Sequence, residues 1–525
     1  MKDRSSGGER SLHGTAGTLL VPLAGTVASG VLYALAFPGP SLWPVAWIAL
    51  VPFFVALRQA QRWAVPLLGW LWPVVCCSIL ISWLPRAMAR YYDQPISVGL
   101  GAFLAVSTLT AGLEFMLFAV VYRRLAGRLG WAEPLVTAAA WVAAELGRGK
   151  LFTGNPWALV GYSQVPFLAM LQVADLTGVY GVSFVVVAGN AAAARLWLAR
   201  RTRGDEWRSA LGGSIVAAVV VAATLAYGWT RLAGADRGSR EPGPRVAVVQ
   251  GNVEILTFWD PSRYGEHFEK YLRLTLAELR RSRPAVVFWP ENAMNFFVER
   301  ESGYRQSVAG VLAASGAELV AGGPHTDDGG PPFYNSAFLI DRDGRVRARQ
   351  DKRFLIPFAE YFPFAGSTLL RRQFDAVREF SHGAIRPPLP TAAGDAGVLV
   401  CHESLYPEAA AAQVALGATY LVNLSNDSWH GGEKYALAAF DVVVLRAIEQ
   451  RRWVVRASTA GPSGIVDAWG RVVRATPPFV EAAASAELVS RSDRTVYSRW
   501  GDWFAFGSVG VVVAALFLRR HEPAR

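Results

Sequence analysis

Read as apolar and polar positions, the chain changes character twice. Across the first 230 residues, long apolar runs recur at 15–37, 42–57, 64–84, 96–122, 132–147, 177–199 and 209–229, and an eighth follows at 501–518. Most approach the ~20 residues that a helix needs to cross a bilayer. The second and fifth are short, which predicts tilted or re-entrant segments. The first runs straight into further spans, unlike a signal peptide. Between the seventh and eighth runs the pattern turns to short apolar stretches and amphipathic ones. Strands are predicted at 246–250, 285–289, 318–321, 335–340, 345–349, 397–400, 420–424, 453–456 and 464–473. Helices are predicted at 405–416, at 433–450 and at 261–281, where Tyr264, Phe268, Leu272, Leu276 and Leu279 share one face. Strands outnumber helices, and several neighbours are close enough to be hairpins. That favours a layered α/β sandwich over a TIM barrel, which needs one helix per strand. The expected organisation is a membrane domain at 1–230, a linker at 231–244, a globular insert at 245–490, and a last span with its tail at 491–525.

Charge orients this arrangement. Lys2, Arg4 and Arg10 precede the first run, Arg58 and Arg62 follow the second, Arg123, Arg124 and Arg128 the fourth, and Arg195, Arg200, Arg201, Arg203 and Arg208 the sixth. Arg519, Arg520 and Arg525 end the chain, whereas the alternate loops hold only Arg86, Arg90, Arg148 and Lys150. The positive-inside rule then sets both termini in the cytoplasm and the insert on the opposite side. The net charge of +11 does not point to nucleic acid, because residues 245–487 carry 26 Lys and Arg against 27 Asp and Glu. With 52% hydrophobic residues and 19 Trp, the whole is too apolar for an ordinary soluble protein. Cys76, Cys77 and Cys401 are the three cysteines, two adjacent and one remote, so no disulfide framework or metal spacing is implied.

Candidate chemistry gathers at strand ends. Val398-Leu399-Val400 runs into Cys401-His402-Glu403-Ser404 ahead of an Ala-rich helix, a strand-to-helix elbow that exposes a nucleophile beside free N–H groups. A lone Cys there is equally a small core residue. Glu291 follows the apolar strand Val286-Val287-Phe288-Trp289, where burial would tune a carboxylate toward general-base work; an ordinary strand-end carboxylate is the alternative. Lys352 and Glu360 lie in the run Asp351-Lys352-Arg353-Phe354-Leu355-Ile356-Pro357-Phe358-Ala359-Glu360-Tyr361. There a fixed ammonium could hold an oxyanion, or Lys352 could snorkel at the surface. Glu114, Glu145 and Asp175 lie in or beside apolar segments and are candidates for function or for pairing within the bundle.

Taken in order, Glu291, Lys352 and Cys401 in these motifs resemble the Glu-Lys-Cys triad of the nitrilase, or carbon-nitrogen hydrolase, superfamily. The resemblance is closer to its membrane-embedded branch, the bacterial apolipoprotein N-acyltransferases. Val246-Ala247-Val248-Val249-Gln250 with Phe258-Trp259-Asp260 is similar to the first motif of their soluble domain. Asn423 through Trp429, and Arg446-Ala447-Ile448-Glu449, match later ones. Gly154-Asn155-Pro156-Trp157 and Gly161-Tyr162-Ser163-Gln164 resemble the long loop after the family's fifth span. The resemblance implies an αββα sandwich and supporting or substrate-binding roles for Trp259, Glu360, His402 and Glu403. Three places depart from the family pattern: His402 stands for Tyr, His430 for Phe, and Thr459-Ala460 for Asn-Asn.

What the resemblance implies is an acyltransferase of the bacterial inner membrane that needs no metal or organic cofactor. Cys401 would take an acyl chain from a phospholipid as a thioester and pass it to the amino group of a diacylglyceryl-cysteine apolipoprotein, with Glu291 moving the protons. The apolar stretch 354–370 would act as a lid at the bilayer surface, and the protein would be a monomer. Two other readings stay open: a membrane-tethered amidase acting on a small amide, and a non-catalytic relative.

Overall fold

A computed structural model describes residues 9–92, 94–152, 154–237, 243–253, 263–363, 379–428 and 432–518. Eleven helices precede the first strand among these: α1 (Glu9–Leu35), α2 (Val51–Gln59), α3 (Ala64–Leu80), α4 (Leu84–Tyr91), α5 (Ile96–Ser107), α6 (Leu113–Leu125), α7 (Glu133–Lys150), α8 (Leu168–Leu171), α9 (Ala174–Thr177), α10 (Val179–Ala199) and α11 (Asp205–Arg237). The continuous run Ile96–Leu125, α10 and Asp205–Ala235 are long and apolar enough to cross a membrane. Shorter apolar helices at Leu19–Leu35, Trp43–Gln59, Ala64–Leu80, Leu168–Thr177 and Trp503–Leu518 stand with them. Their outward side chains are apolar, as at Leu117 and Ile215, which are exposed. Such a face is suited to lipid rather than to water.

The run expected at 42–57 is not one helix. A 3-10 turn at Trp43–Trp47, with a proline in its first turn, precedes α2, whose own early proline fits a helix start better than a helix interior. A π-helical turn at Thr108–Gly112 joins α5 to α6. The helix α11 continues to Arg237, into the stretch expected as linker. Within the bundle, large rings interlock: Trp72 and Trp141 meet edge to face at 5.0 Å, with Phe53, Phe115 and Phe118 around them.

The strands β1 (Arg245–Gln250), β2 (Val286–Phe288), β3 (Glu318–Thr326), β4 (Phe333–Ile340), β5 (Val346–Asp351) and β12 (Ala482–Glu487) form one six-stranded sheet in the order β12-β1-β2-β3-β4-β5. A second has the order β11-β10-β9-β8-β7-β6, from β6 (Leu389–Thr391), β7 (Gly394–Val400), β8 (Tyr420–Ser425), β9 (Val454–Ser458), β10 (Gly464–Val466) and β11 (Val472–Ala475). In each sheet three central strands run parallel and the flanking ones are antiparallel. The expected strand at 464–473 is thus a hairpin, turned by Asp467, whose carboxylate accepts from the N–H groups of Trp469 and Arg471.

Strand alternation makes the layers. Val246, Val248, Val286 and Phe288 face inward onto Val398, Val400, Val422 and Val455 of the second sheet. The alternate residues Ala247, Val249, Val287 and Trp289 face outward and are covered by α12 (Phe268–Ser282) and α13 (Ser302–Leu312). The helix expected from 261 therefore starts at Phe268. Over the second sheet lie α14 (Pro407–Ala415) and α15 (Glu433–Gln450). The result is the expected αββα sandwich.

On the far side, α14 and α15 do not meet water. Ala409, Ala410, Val443 and Ile448 belong to the same continuous core as Trp72, Trp141 and Val186 of the bundle. Two further helices, α16 (Val496–Trp500) and α17 (Trp503–Leu518), return the chain to α7 and α10. Charged pairs pin this seam. Arg451, just past α15, donates to Asp175 Oδ2 at 2.7 and 3.1 Å and to Gln172 at 2.8 Å. Asp175 also receives Tyr227 and Arg231. Lys150 is held between Glu408 and Asp502, both at 2.9 Å. At Gly178, with φ of +67°, a Cβ would lie 2.4 Å from Tyr497, so only glycine admits this turn between the two halves.

The Arg451–Asp175 pair has side-chain exposures of 1% and 4%, and stranding one buried partner costs about 3–5 kcal/mol. Asp175→Asn should therefore lower the thermal unfolding midpoint of the detergent-solubilised protein by several degrees. Glu487→Gln, which breaks the exposed pair with Arg245, should leave it unmoved.

Candidate active site

The polar residues singled out at strand ends meet at one edge of the two sheets. Glu291 follows β2, Lys352 follows β5 and Cys401 follows β7, all at the ends where the parallel strands point. Cys401 has φ of +54°, the left-handed region a side chain seldom adopts, and the chain turns there into a 3-10 segment, Cys401–Leu405. The helix α14 begins only at Pro407, so the N–H groups beside the sulfur belong to this turn and not, as expected, to an α-helix. Asn423 fixes the turn by donating to the carbonyls of Leu399 and Cys401 at 2.9 Å.

Lys352, 1% exposed, is the hub. Its ammonium donates to Glu291 Oε1 at 3.1 Å and to Glu360 Oε1 at 2.8 Å. Asn335 lies across the same two oxygens, donating at 2.7 and 3.0 Å. The other carboxylate oxygens accept backbone N–H groups, Glu291 from Asn426 and Glu360 from Ile356. Burial alone would push the Lys352 ammonium down; the carboxylates of Glu291 and Glu360 overcome it and hold the group firmly protonated. Burial likewise works to raise Glu360, and Lys352 overturns it, leaving that carboxyl below its usual range.

Cys401 is buried, and its thiol is pushed well above the ordinary range by burial first and by Glu291 next, against the pull of Lys352. At rest it is a thiol, and a base must take its proton for it to act. Ser425 donates weakly toward the sulfur at 3.9 Å. Glu403 points away from the sulfur and accepts from the N–H groups of Val400, Arg353 and Phe354, at 2.8, 2.7 and 3.1 Å. It ties the nucleophile turn to the segment after Lys352, and burial raises its carboxyl despite those bonds. His402 stands edge-on to Tyr406 at 5.7 Å. Burial, followed by the Lys352 ammonium, drives its imidazole down to about 3, against the opposing pull of Glu360.

Trp259 and His430 lie outside the described residues. Thr459 takes part in the polar shell, donating to Asn426 at 2.9 Å and accepting from the N–H of Asp427 at 3.1 Å. Asn335 was read only as the start of a strand; its signal was a polar residue where an inward-facing strand position should be apolar. The buried Arg456–Asp427 pair, at 2.6 Å behind Ser425, was also missed. Among the described residues no cluster of three or more His, Cys, Asp or Glu side chains is arranged to hold a metal ion.

Beside the site lies a cavity of about 560 Å³ between the sandwich and the bundle, which His402 reaches and the Cys401 side chain does not line. Trp72, Cys76, Trp83, Leu109 and Phe115 line it from the bundle, and Ile356, Phe358, His402 and Tyr406 from the sandwich. Phe354 stacks on Tyr406 at 4.5 Å, and Tyr406 donates to the carbonyl of Gly154 at 3.2 Å. The phenol of Tyr92 donates to the carbonyl of Phe358, so the segment after Lys352 is held by both halves.

Residues 245–495 match the carbon-nitrogen hydrolase family, and residues 29–192 match the apolipoprotein N-acyltransferase N-terminal domain. Fold and site together define a carbon-nitrogen hydrolase sandwich built onto a membrane bundle. An apolipoprotein N-acyltransferase of Geobacter metallireducens is 33% identical over 503 residues, covering 94% of this chain and 95% of the relative. One from Pseudomonas aeruginosa is 30% identical, covering 95% and 96%. The chain belongs to the apolipoprotein N-acyltransferase family. Among solved structures, an amidase from Nesterenkonia sp. is 19% identical, covering 48% of this chain and 93% of its own, with a TM-score of 0.37.

A His that titrates near 6.5 when unfolded and near 3 in the fold takes up a proton on unfolding between those values. The unfolded state then binds more protons, so stability should fall as pH drops below about 6.5. His402→Gln should flatten that part of the profile, read as thermal midpoint against pH.

Proposed function

We propose that the chain N-acylates apolipoproteins in two steps through a thioester on Cys401, using a membrane phospholipid as acyl donor. The observation that carries this is the convergence of Glu291, Lys352 and Glu360 beside a buried thiol whose neighbour in the chain, His402, lines an apolar cavity shared with the bundle. In the first step Glu291 takes the thiol proton while the sulfur attacks the ester carbonyl. The oxyanion is held by the Lys352 ammonium and the backbone N–H of His402. The C–O bond then breaks, Glu291 returns the proton to the departing glycerol oxygen, and a lysophospholipid leaves.

In the second step the α-amino group of a lipid-modified N-terminal cysteine attacks the thioester. Glu291 takes the amine's proton, the C–S bond breaks, and the proton returns to the Cys401 sulfur. A thioester yields readily to an amine, and the apolar walls keep water away from it. Glu360 and Asn335 act by positioning Lys352 and Glu291. Both substrates carry long acyl chains, and an apolar cavity built partly from the bundle's helices, next to Cys401, suits them. The loop charges support an orientation with the sandwich extracytoplasmic and both termini cytoplasmic.

Purified protein incubated with chain-labelled phospholipid should gain one acyl mass on intact-mass analysis. Cys401→Ala should gain none, and Glu291→Gln should slow the gain by about a hundredfold or more. The adduct should persist until a diacylglyceryl-cysteine peptide is added. Loss to water alone would instead identify a hydrolase, and no adduct on the parent would end the proposal.

A further inference from the structure

Arg148 is the one formally charged side chain among the described residues that line the cavity. It lies in the last turn of α7, two residues before Lys150, yet the two cations are treated differently. Lys150 is neutralised by Glu408 and Asp502. Arg148, 8% exposed, forms no ion pair with any described carboxylate. Its Nε donates to the carbonyl of Thr110 at 3.2 Å and one terminal nitrogen to that of Trp157 at 2.8 Å. The second terminal nitrogen has no partner in the protein among the described residues. The nearest acid on its own helix, Glu145, is turned elsewhere, accepting from Trp141 and from the N–H of Val160 at 3.0 and 2.8 Å. Neither Glu145 nor Glu114 lines the cavity.

The carboxylates of Glu114 and Glu145 act on this guanidinium only through space, without an ion pair, so a buried cation fixed by two carbonyls keeps a free nitrogen and unpaired charge to offer a ligand. Its planar fork suits a phosphate oxygen. We propose that Arg148 binds the phosphodiester of the acyl donor and so selects glycerophospholipids over uncharged acylglycerols. This rests on the acyl-transfer reading above. The two substrates differ in this respect: the donor carries a phosphodiester anion, whereas the acceptor's diacylglyceryl group has none and brings an amine. One cation among the described lining residues, the rest of which carry no formal charge, would thus favour the donor while Cys401 is free and offer nothing to the acceptor. The lysophospholipid retains its phosphate but loses the anchorage of one chain, which eases its exit.

The test compares the full-length parent with Arg148→Gln in detergent micelles, following acyl-adduct formation on Cys401 from a phospholipid and from a chain-matched diacylglycerol. The parent should acylate faster from the phospholipid. In Arg148→Gln that rate should drop about tenfold or more, the loss expected for a charge-assisted contact, while the diacylglycerol rate stays at the parent's level. The thermal midpoint and acylation by a p-nitrophenyl acyl ester report whether the variant is folded. If the phospholipid and diacylglycerol rates fall together, Arg148 is a staple for the Thr110 and Trp157 carbonyls and the proposal is overturned. An unchanged phospholipid rate overturns it as well. A parent that acylates from neither lipid removes the acyl-transfer reading and this site with it, a failure visible before any variant is made.

Discussion

A protonated amine at 1% exposure cannot stand in a protein interior without anions around it, and the sandwich is arranged to meet that demand at Lys352. Three strands from both sheets end at the same edge to bring Glu291, Lys352 and Cys401 together, and the segment after β5 folds back to add Glu360. Asn335 spans both carboxylates, so neither can move without breaking two contacts. The same charges set the resting state of the sulfur. It is shielded from water, flanked by more negative than positive charge, and stays protonated until a substrate reaches it. A buried, protonated sulfur is less open to oxidation or alkylation than an exposed thiolate.

The seam between bundle and sandwich solves a second problem, that of bringing two membrane-anchored molecules to one atom. The outer faces of α14 and α15 are apolar and continue into the bundle, with ionic contacts placed only where a helix end or a turn leaves a charge to be satisfied, as at Asp175 and Lys150. The cavity is a product of this union, since neither half encloses it.

Much of this was legible in the chain. Apolar runs near bilayer length announced the bundle, short apolar strands outnumbering helices pointed to the sandwich, and polar residues at the ends of buried strands made Glu291, Lys352 and Cys401 candidates that the family resemblance then singled out. What escaped was what depends on partners distant in sequence. Asn335 reads as an ordinary strand residue until β4 is laid beside β5. Arg148 reads as a loop cation until Lys150 is seen to be paired and Arg148 is not. The strand β12 lacks a local signal of its own: it is Ala-rich and gains its place only by pairing antiparallel with β1. Residues 464–473 looked like one strand because Asp467 and Gly470, which turn it, sit inside an apolar stretch.

The return of α17 to α7 and α10 has a bearing on biogenesis. The first helices are synthesised long before the one that completes their packing, with the entire sandwich made in between. Until that final helix is made, the flank of α7 that it covers lacks its partner. A ribosome that stalls late would therefore strand an open bundle bearing a finished catalytic domain, a natural substrate for membrane quality control.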